Sequence, residues 1–309
     1  MYNNIMKSIK KEVLFLAKRA LVIVNPRAGM KKSKKDLFEI IDRLSQKGFS
    51  VSAQTTTQSG DGTLFVKKYG AEQDLIVCCG GDGTLNEVIN GILESGIRAD
   101  LGYVPAGTTN DFARTLQLPT KAEKCMDMIL SGFPHHYDMG SFNGRNFSYI
   151  ASLGVFTKVS YSTPQKIKNA LGHTAYLLEG AKEIGHITPF EASFTANGET
   201  YEGEFLFGSV SNSTSIAGLF KLNGLDVRLD DGEFELMLIR NPKNVTDLGG
   251  ILQGLVRGRY DPRYVVFTHA AEIDFKSEKP LAWTLDGEPG GEQTEAHISV
   301  LSHAINIIF

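Results

Sequence analysis

Apolar residues follow two rhythms along the first half of the chain. Ala20–Val24, Asp74–Cys79 and Leu101–Val104 are short apolar runs that read as buried strands, and Ser50–Gln54 reads as another. Between them, Leu37, Ile40, Ile41 and Leu44, then Leu85, Val88, Ile89, Ile92 and Leu93, each mark one face of an amphipathic helix. Strands alternating with such helices predict an α/β domain with a mostly parallel sheet over residues 20–138. Beyond Asp138 the rhythm becomes apolar–polar alternation, with hairpin signals at Asn143-Gly144 and Asn197-Gly198. Strands are predicted at Phe190–Ala196, Thr200–Phe207, Phe234–Ile239, Tyr264–His269, Ala271–Phe275, Leu281–Leu285, His297–Leu301 and Ile305–Phe309, and helices at 163–184 and 245–258. This is a β-rich, sandwich-like second domain over residues 139–309. Residues 1–19 form a separate extension. Ile5, Ile9, Val13 and Leu16 fall on one helical face, with Lys7, Lys10, Lys11 and Lys18 opposite. A basic amphipathic helix of this kind either lies in a membrane interface or packs on protein.

Composition narrows the class. The 309 residues are 42% hydrophobic and 22% charged, which excludes a disordered chain. A net charge of −3 gives no global attraction to nucleic acid. The three cysteines form no disulfide framework: Cys78 and Cys79 are adjacent in a strand and Cys125 lies on a helix, consistent with a reducing cytoplasm. No apolar run reaches the length of a membrane-spanning helix, so the reading is cytoplasmic, soluble or peripheral.

The candidate chemistry sits where the strands end. Gly80-Gly81-Asp82-Gly83-Thr84-Leu85-Asn86-Glu87 follows the third strand and opens a helix. Glycines admit close ligand approach, and helix N-terminal amides favour an anion. A carboxylate beside phosphates is repulsive unless a cation intervenes, so Asp82 points to Mg²⁺. No Lys-Ser/Thr follows, so this is not a Walker A loop. Asn25-Pro26-Arg27-Ala28-Gly29 ends the first strand, Thr55-Thr56-Thr57 the second, and Pro105-Ala106-Gly107-Thr108-Thr109-Asn110-Asp111 the fourth. In parallel sheets ligands bind at those strand ends.

The strings Asn25–Gly29, Gly80–Thr84 and Pro105–Asp111, with Asp286-Gly287-Glu288 near the C-terminus, resemble the diacylglycerol kinase catalytic-domain family, specifically its soluble bacterial lipid kinases. The resemblance runs from about Ala20 to the end of the chain. It implies an ATP- and Mg²⁺-dependent kinase with its active site in an interdomain cleft, acting on a lipid at a membrane surface, with a homodimer suggested by the family. Nucleotide contacts fall on Asn25–Gly29, Thr56, Gly80–Glu87 and Thr108, and Asn110, Asp111, Arg114 and Asp138 also match. Asp82 organises the catalytic Mg²⁺, Asp286 and Glu288 match the late acidic pair, and Glu288 stands at the general base. A structural Mg²⁺ site matches the Asp231 carboxylate with the backbone carbonyls of Arg228 and Glu233. Two other readings share much of this sequence: a kinase of another lipid or small alcohol, sphingoid or NAD-like, and a nucleotide-binding regulator without turnover.

Overall fold

The strand β1 (Arg19–Val24) is buried beyond its first residue, as a run of Ala, Leu, Val and Ile must be when both faces of a sheet are covered. It belongs to a computed structural model that describes residues 18–108, 110–154, 188–213, 215–216, 220–221, 227–257 and 259–309. Residues 1–17 of the expected N-terminal helix and the expected helix at 163–184 lie outside the described residues. The chain forms two compact units, one running to Tyr137 and including Ala304–Phe309, the other Asp138–His303.

In the first unit, β1 is followed by α1 (Lys32–Gln46), β2 (Ser50–Thr55), α2 (Asp61–Tyr69), β3 (Leu75–Gly80), α3 (Asp82–Ser95), β4 (Asp100–Pro105), α4 (Asp111–Thr115) and α5 (Ala122–Ser131). β2 and β3 flank β1 in parallel, and β4 pairs parallel with β3. The strand order is therefore 2-1-3-4. The chain moves to one side after β1 and crosses to the other before β3, which makes the β1/β3 boundary a topological switch point. Ile40 and Leu44 of α1 and Cys125, Met126 and Ile129 of α5 pack with Val22, Val77 and Val104 in one core.

In the second unit, β5 (Pro134–Phe142, entering from the first unit) leads to β6 (Arg145–Phe147), β7 (Ile150–Gly154), β8 (Phe190–Ala196), β9 (Glu199–Ser211) and the short pair β10 (Ser215–Ile216) and β11 (Phe220–Lys221). Then come β12 (Phe234–Arg240), α6 (Val245–Arg257), β13 (Val265–Ala270), β14 (Glu272–Leu285) and β15 (Glu288–Ile308). β7 and β8 each pair antiparallel with both β9 and β14, so these four strands close a circuit. Phe194, Phe205, Phe275 and Trp283 fill its core, with Phe194 and Phe205 rings edge-on at 5.6 Å.

Two expectations need correction. Ala271–Phe275 and Leu281–Leu285 are parts of one strand, β14, and the two C-terminal strands are parts of one strand, β15. Residues 304–309 were assigned to the second domain, yet Ile307 pairs parallel with Leu101 of β4. β4 would otherwise be an apolar edge with an unpaired backbone, and the buried Ile305, Ile307 and Ile308 close it.

Candidate active site

Asn25 stands directly after β1, and its backbone N–H donates to Cys79 O of β3 at 2.9 Å. Its side chain works in two directions. Oδ1 accepts the Arg27 N–H at 2.9 Å, which folds the Asn25–Gly29 turn, and Nδ2 donates to Thr84 Oγ1 at 3.1 Å. The Ala28 N–H is bonded to Asn25 O. Arg27 and Ala28, expected to offer amides to phosphates, therefore use those amides to make the turn. Pro26 has no amide hydrogen to offer.

The start of α3 is built differently. Gly81 is its N-cap and has no side chain to satisfy the first-turn amides, which have no acceptor within the helix. Gly83 faces open space: a Cβ built there meets nothing within 4 Å. The neighbouring turn is pressed against this one, since a Cβ on Gly107 would lie 2.6 Å from Gly81 Cα. The bond from Ala106 N–H to Gly80 O, at 2.7 Å, joins the same two turns. The Asp82 Oδ1 accepts the Phe112 N–H at 3.2 Å, tying the start of α3 to α4. Tyr103, whose phenol burial pushes well above its usual range, stays neutral and donates to Gly80 O at 3.2 Å.

Leu85, Glu87, Asn110 and Asn86, all expected at the nucleotide, have side chains engaged elsewhere. Leu85 is 1% exposed and its side chain belongs to the core. Glu87 accepts the Gly60 N–H at 2.8 Å, the Gly62 N–H at 3.0 Å and the Ser59 hydroxyl at 3.1 Å, so its carboxylate holds the start of α2. Asn110 sits at φ +51°, and its amide braces Gly107 through both N–H and carbonyl, at 2.9 and 3.0 Å. Asn86 bonds Asn90 one turn along α3. Thr56 is buried at the end of β2 and donates its N–H to Val24 O, while Thr108 is exposed. The side chain of Asp111 lies outside the described residues.

The sequence reading missed Asp61. Its Oδ2 accepts the Thr57 N–H at 2.7 Å, the Thr57 hydroxyl at 2.9 Å and the Gln58 N–H at 3.1 Å. These bonds, the Thr57 amide first, hold the carboxyl below its usual range. Its signal was an acid in the first turn of a helix after Thr-Gln-Ser-Gly, a backward cap for the turn that follows Thr56.

In the second unit, Asp286 and Gly287, at φ +50° and +86°, form the two-residue turn between β14 and β15, with Leu285 paired to Glu288. Asp286, expected among the catalytic acids, accepts the amides of Ser148, Tyr149 (2.9 Å) and Ile150 (3.1 Å). It anchors the loop before β7. Glu288, one residue past the turn, is exposed, and its side chain makes no hydrogen bond or ion pair among the described residues. Of these two acids, only Asp286 is tied down by its neighbours among the described residues.

The Arg228–Glu233 turn is held from below. Asp138, fully buried, accepts the Gly232 N–H at 2.7 Å and the His303 N–H at 2.6 Å. Asp231 is exposed, and its Oδ1 accepts the Glu233 N–H at 3.1 Å. Arg228 pairs with Asp230 at 3.7 Å. Burial pushes the neighbouring Glu235 carboxyl up to about 8, and the Asp231 charge adds to that rise. Among the described residues no three His, Cys, Asp or Glu side chains cluster as metal ligands, so a cation at Asp231 would depend on backbone carbonyls.

A glycine-rich helix start at the switch point of a parallel α/β unit, with an acid in its first turn, defines a nucleotide-binding class of protein. Comparison with known proteins makes this specific. Residues 19–142 match the family described as diacylglycerol kinase catalytic domain. Diacylglycerol kinases of Staphylococcus carnosus (strain TM300) and Bacillus subtilis (strain 168) are 35% and 34% identical over 93% of this chain, covering 94% and 95% of their own lengths. A solved structure from Bacillus anthracis str. Sterne, described as a candidate diacylglycerol kinase, superposes with a TM-score of 0.81 at 25% identity, covering 94% of this chain and 97% of that one. The chain belongs to the diacylglycerol kinase family.

Proposed function

We propose that this protein transfers the γ-phosphate of ATP to the free hydroxyl of diacylglycerol at a membrane surface, giving phosphatidic acid. The observation that carries the reading is the meeting of three turns at the ends of β1, β3 and β4. Asn25 bonds Thr84, and Gly107 leaves room for nothing larger against Gly81, in a chain of this family. That arrangement suits a polyphosphate, because it presents helix-start amides that have no acceptor within the helix and sets glycines beside them.

Phosphoryl transfer asks the protein mainly for positioning, charge neutralisation and a proton acceptor. Gly81–Thr84 hold the phosphates, and Asn25 and Asn110 keep the two supporting turns in place. Asp82 is the acid placed to hold Mg²⁺, whose charge offsets that of the phosphates. Glu288 takes the proton of the acceptor hydroxyl, and its exposure and lack of a bonded partner among the described residues support that role. Asp231, with the carbonyls of Arg228 and Glu233, holds a second, structural Mg²⁺. No helix among the described residues is long and apolar enough to cross a membrane, and access to lipid is by peripheral association.

The test is transfer of radiolabel from ATP to a panel of alcohols in mixed micelles: diacylglycerol, a sphingoid base and a monoacylglycerol, with NAD in solution. Labelled phosphatidic acid is the expected product. Label on NAD alone would overturn the reading.

A further inference from the structure

Ser209 and Ser211 of β9 lie on one face of the second unit's sheet with Glu235 of β12. Ser211 pairs with Glu235 and Ile150, and Ser209 pairs with Met237 and Ser152. Residues directly opposite in an antiparallel ladder share a face. That face also carries Ile150, Phe207, Met237 and Ile239, packed with Ile251 of α6 and Val265 of β13. Ser209 and Ser211 are 0% exposed and Glu235 is 1% exposed. Ser209 Oγ, Ser211 Oγ and Glu235 Oε2 have no hydrogen-bond partner among the described residues. The adjacent Ser152 and Thr284 hydroxyls, by contrast, bond each other at 3.0 Å.

An unsatisfied buried polar group is destabilising, and alanine at either serine would remove that cost. Three such atoms on a patch bordered by apolar side chains call for a ligand of matching make-up: mostly hydrocarbon, with a few oxygen acceptors. A neutral acyl ester has that make-up. We propose that Ser209 and Ser211 donate hydrogen bonds to the ester carbonyl oxygens of the acceptor lipid, and so set specificity for an acyl ester over any other long-chain alcohol. This rests on the lipid kinase reading and names the part of the acceptor that the second unit reads. The helix α6 covers the face through Ile251. Its Gly249 and Gly250 are exposed and meet nothing within 4 Å of an added Cβ. They lower the helix propensity of this cover without serving its packing.

The experiment compares a diacylglycerol with a dialkylglycerol of equal chain length, whose ether oxygens replace the ester carbonyls while the free hydroxyl is kept. Wild type and the double variant Ser209→Ala/Ser211→Ala are assayed with both, and the lipid-free proteins are melted. The wild type is expected to favour the ester by about tenfold or more in kcat/KM, carried by KM, as one or two good hydrogen bonds imply. The double variant should lose most of that preference, keep its KM for ATP, and melt no lower than wild type, because it has lost two unsatisfied groups. A wild type that uses both lipids equally, or a variant that retains the preference, overturns the proposal and leaves the kinase reading standing. A variant melting well below wild type also overturns it, since the hydroxyls would then have structural partners. A wild type that phosphorylates neither lipid overturns both.

Discussion

The side-chain amide of Asn25 donates to the Thr84 hydroxyl at 3.1 Å, joining the residue that follows β1 to the first turn of α3. The two residues are far apart in sequence and stand on either side of the switch point. Because Asn25 Oδ1 also closes its own turn, one side chain sets the shape of both segments.

Asn25→Ala and Thr84→Ala should therefore be coupled. A net hydrogen bond contributes about 0.5–1.5 kcal/mol, and a double-mutant cycle on ATP affinity is expected to return a coupling of that size. Strict additivity of the two single changes would show that the bond does not support the site.

Gly83 and Gly107 should part company. A Cβ on Gly107 would lie 2.6 Å from Gly81 Cα and 2.7 Å from Asn110 Oδ1, so Gly107→Ala should lower the melting temperature as well as nucleotide affinity. Gly83 has open space and lies in a helix, where alanine is favoured by about 1 kcal/mol. Gly83→Ala should hold or raise stability while weakening ATP binding, because the added methyl stands where a phosphate approaches. Unchanged ATP affinity in Gly83→Ala would move the phosphates elsewhere.

Asp61 supplies the pH dependence. Its folded-state pKa lies below the usual value of 3.8, so its contribution to stability is complete above about that pH and is lost as pH falls through the lower folded value. The stability difference between wild type and Asp61→Asn, from urea unfolding, should be constant from pH 7 to about 5 and shrink below pH 4. A difference that grows on acidification would contradict the bonding to Thr57 and Gln58.

Much of this was legible in the sequence for definite reasons. The runs at 20–24 and 74–79 could only be buried strands, and both glycine-rich turns announced themselves through residues that ordinary loops do not need. The side chains that brace those turns were not legible. Glu87 and Asn110 lie inside the motifs and read as ligand contacts, yet their partners, Gly60, Gly62 and Gly107, are fixed by how the loops fold back. Asp286 reads as half of an acidic pair, but its three amide donors come from 148–150, some 136–138 residues away. Ile305–Phe309 gives the same alternating signal in either unit, so only pairing with β4 assigns it.

Mg²⁺ should act on stability through Asp231. If the Arg228–Glu233 turn binds a cation, added Mg²⁺ without ATP should raise the melting temperature of wild type, and Asp231→Ala should abolish that rise. Equal responses in both proteins would leave Asp231 as a turn residue.

The most direct test of the central claim follows labelled phosphate from ATP to diacylglycerol with Glu288→Gln and Asp286→Asn beside wild type. Glu288 is exposed and unbonded among the described residues, so Glu288→Gln should melt like wild type and bind ATP normally, yet turn over about 10²–10⁴-fold more slowly. Asp286→Asn, which disturbs three buried-side amide contacts, should instead lose stability first. Normal formation of phosphatidic acid by Glu288→Gln would contradict the assignment of the proton acceptor. Failure of the wild type to label any lipid would contradict the account itself.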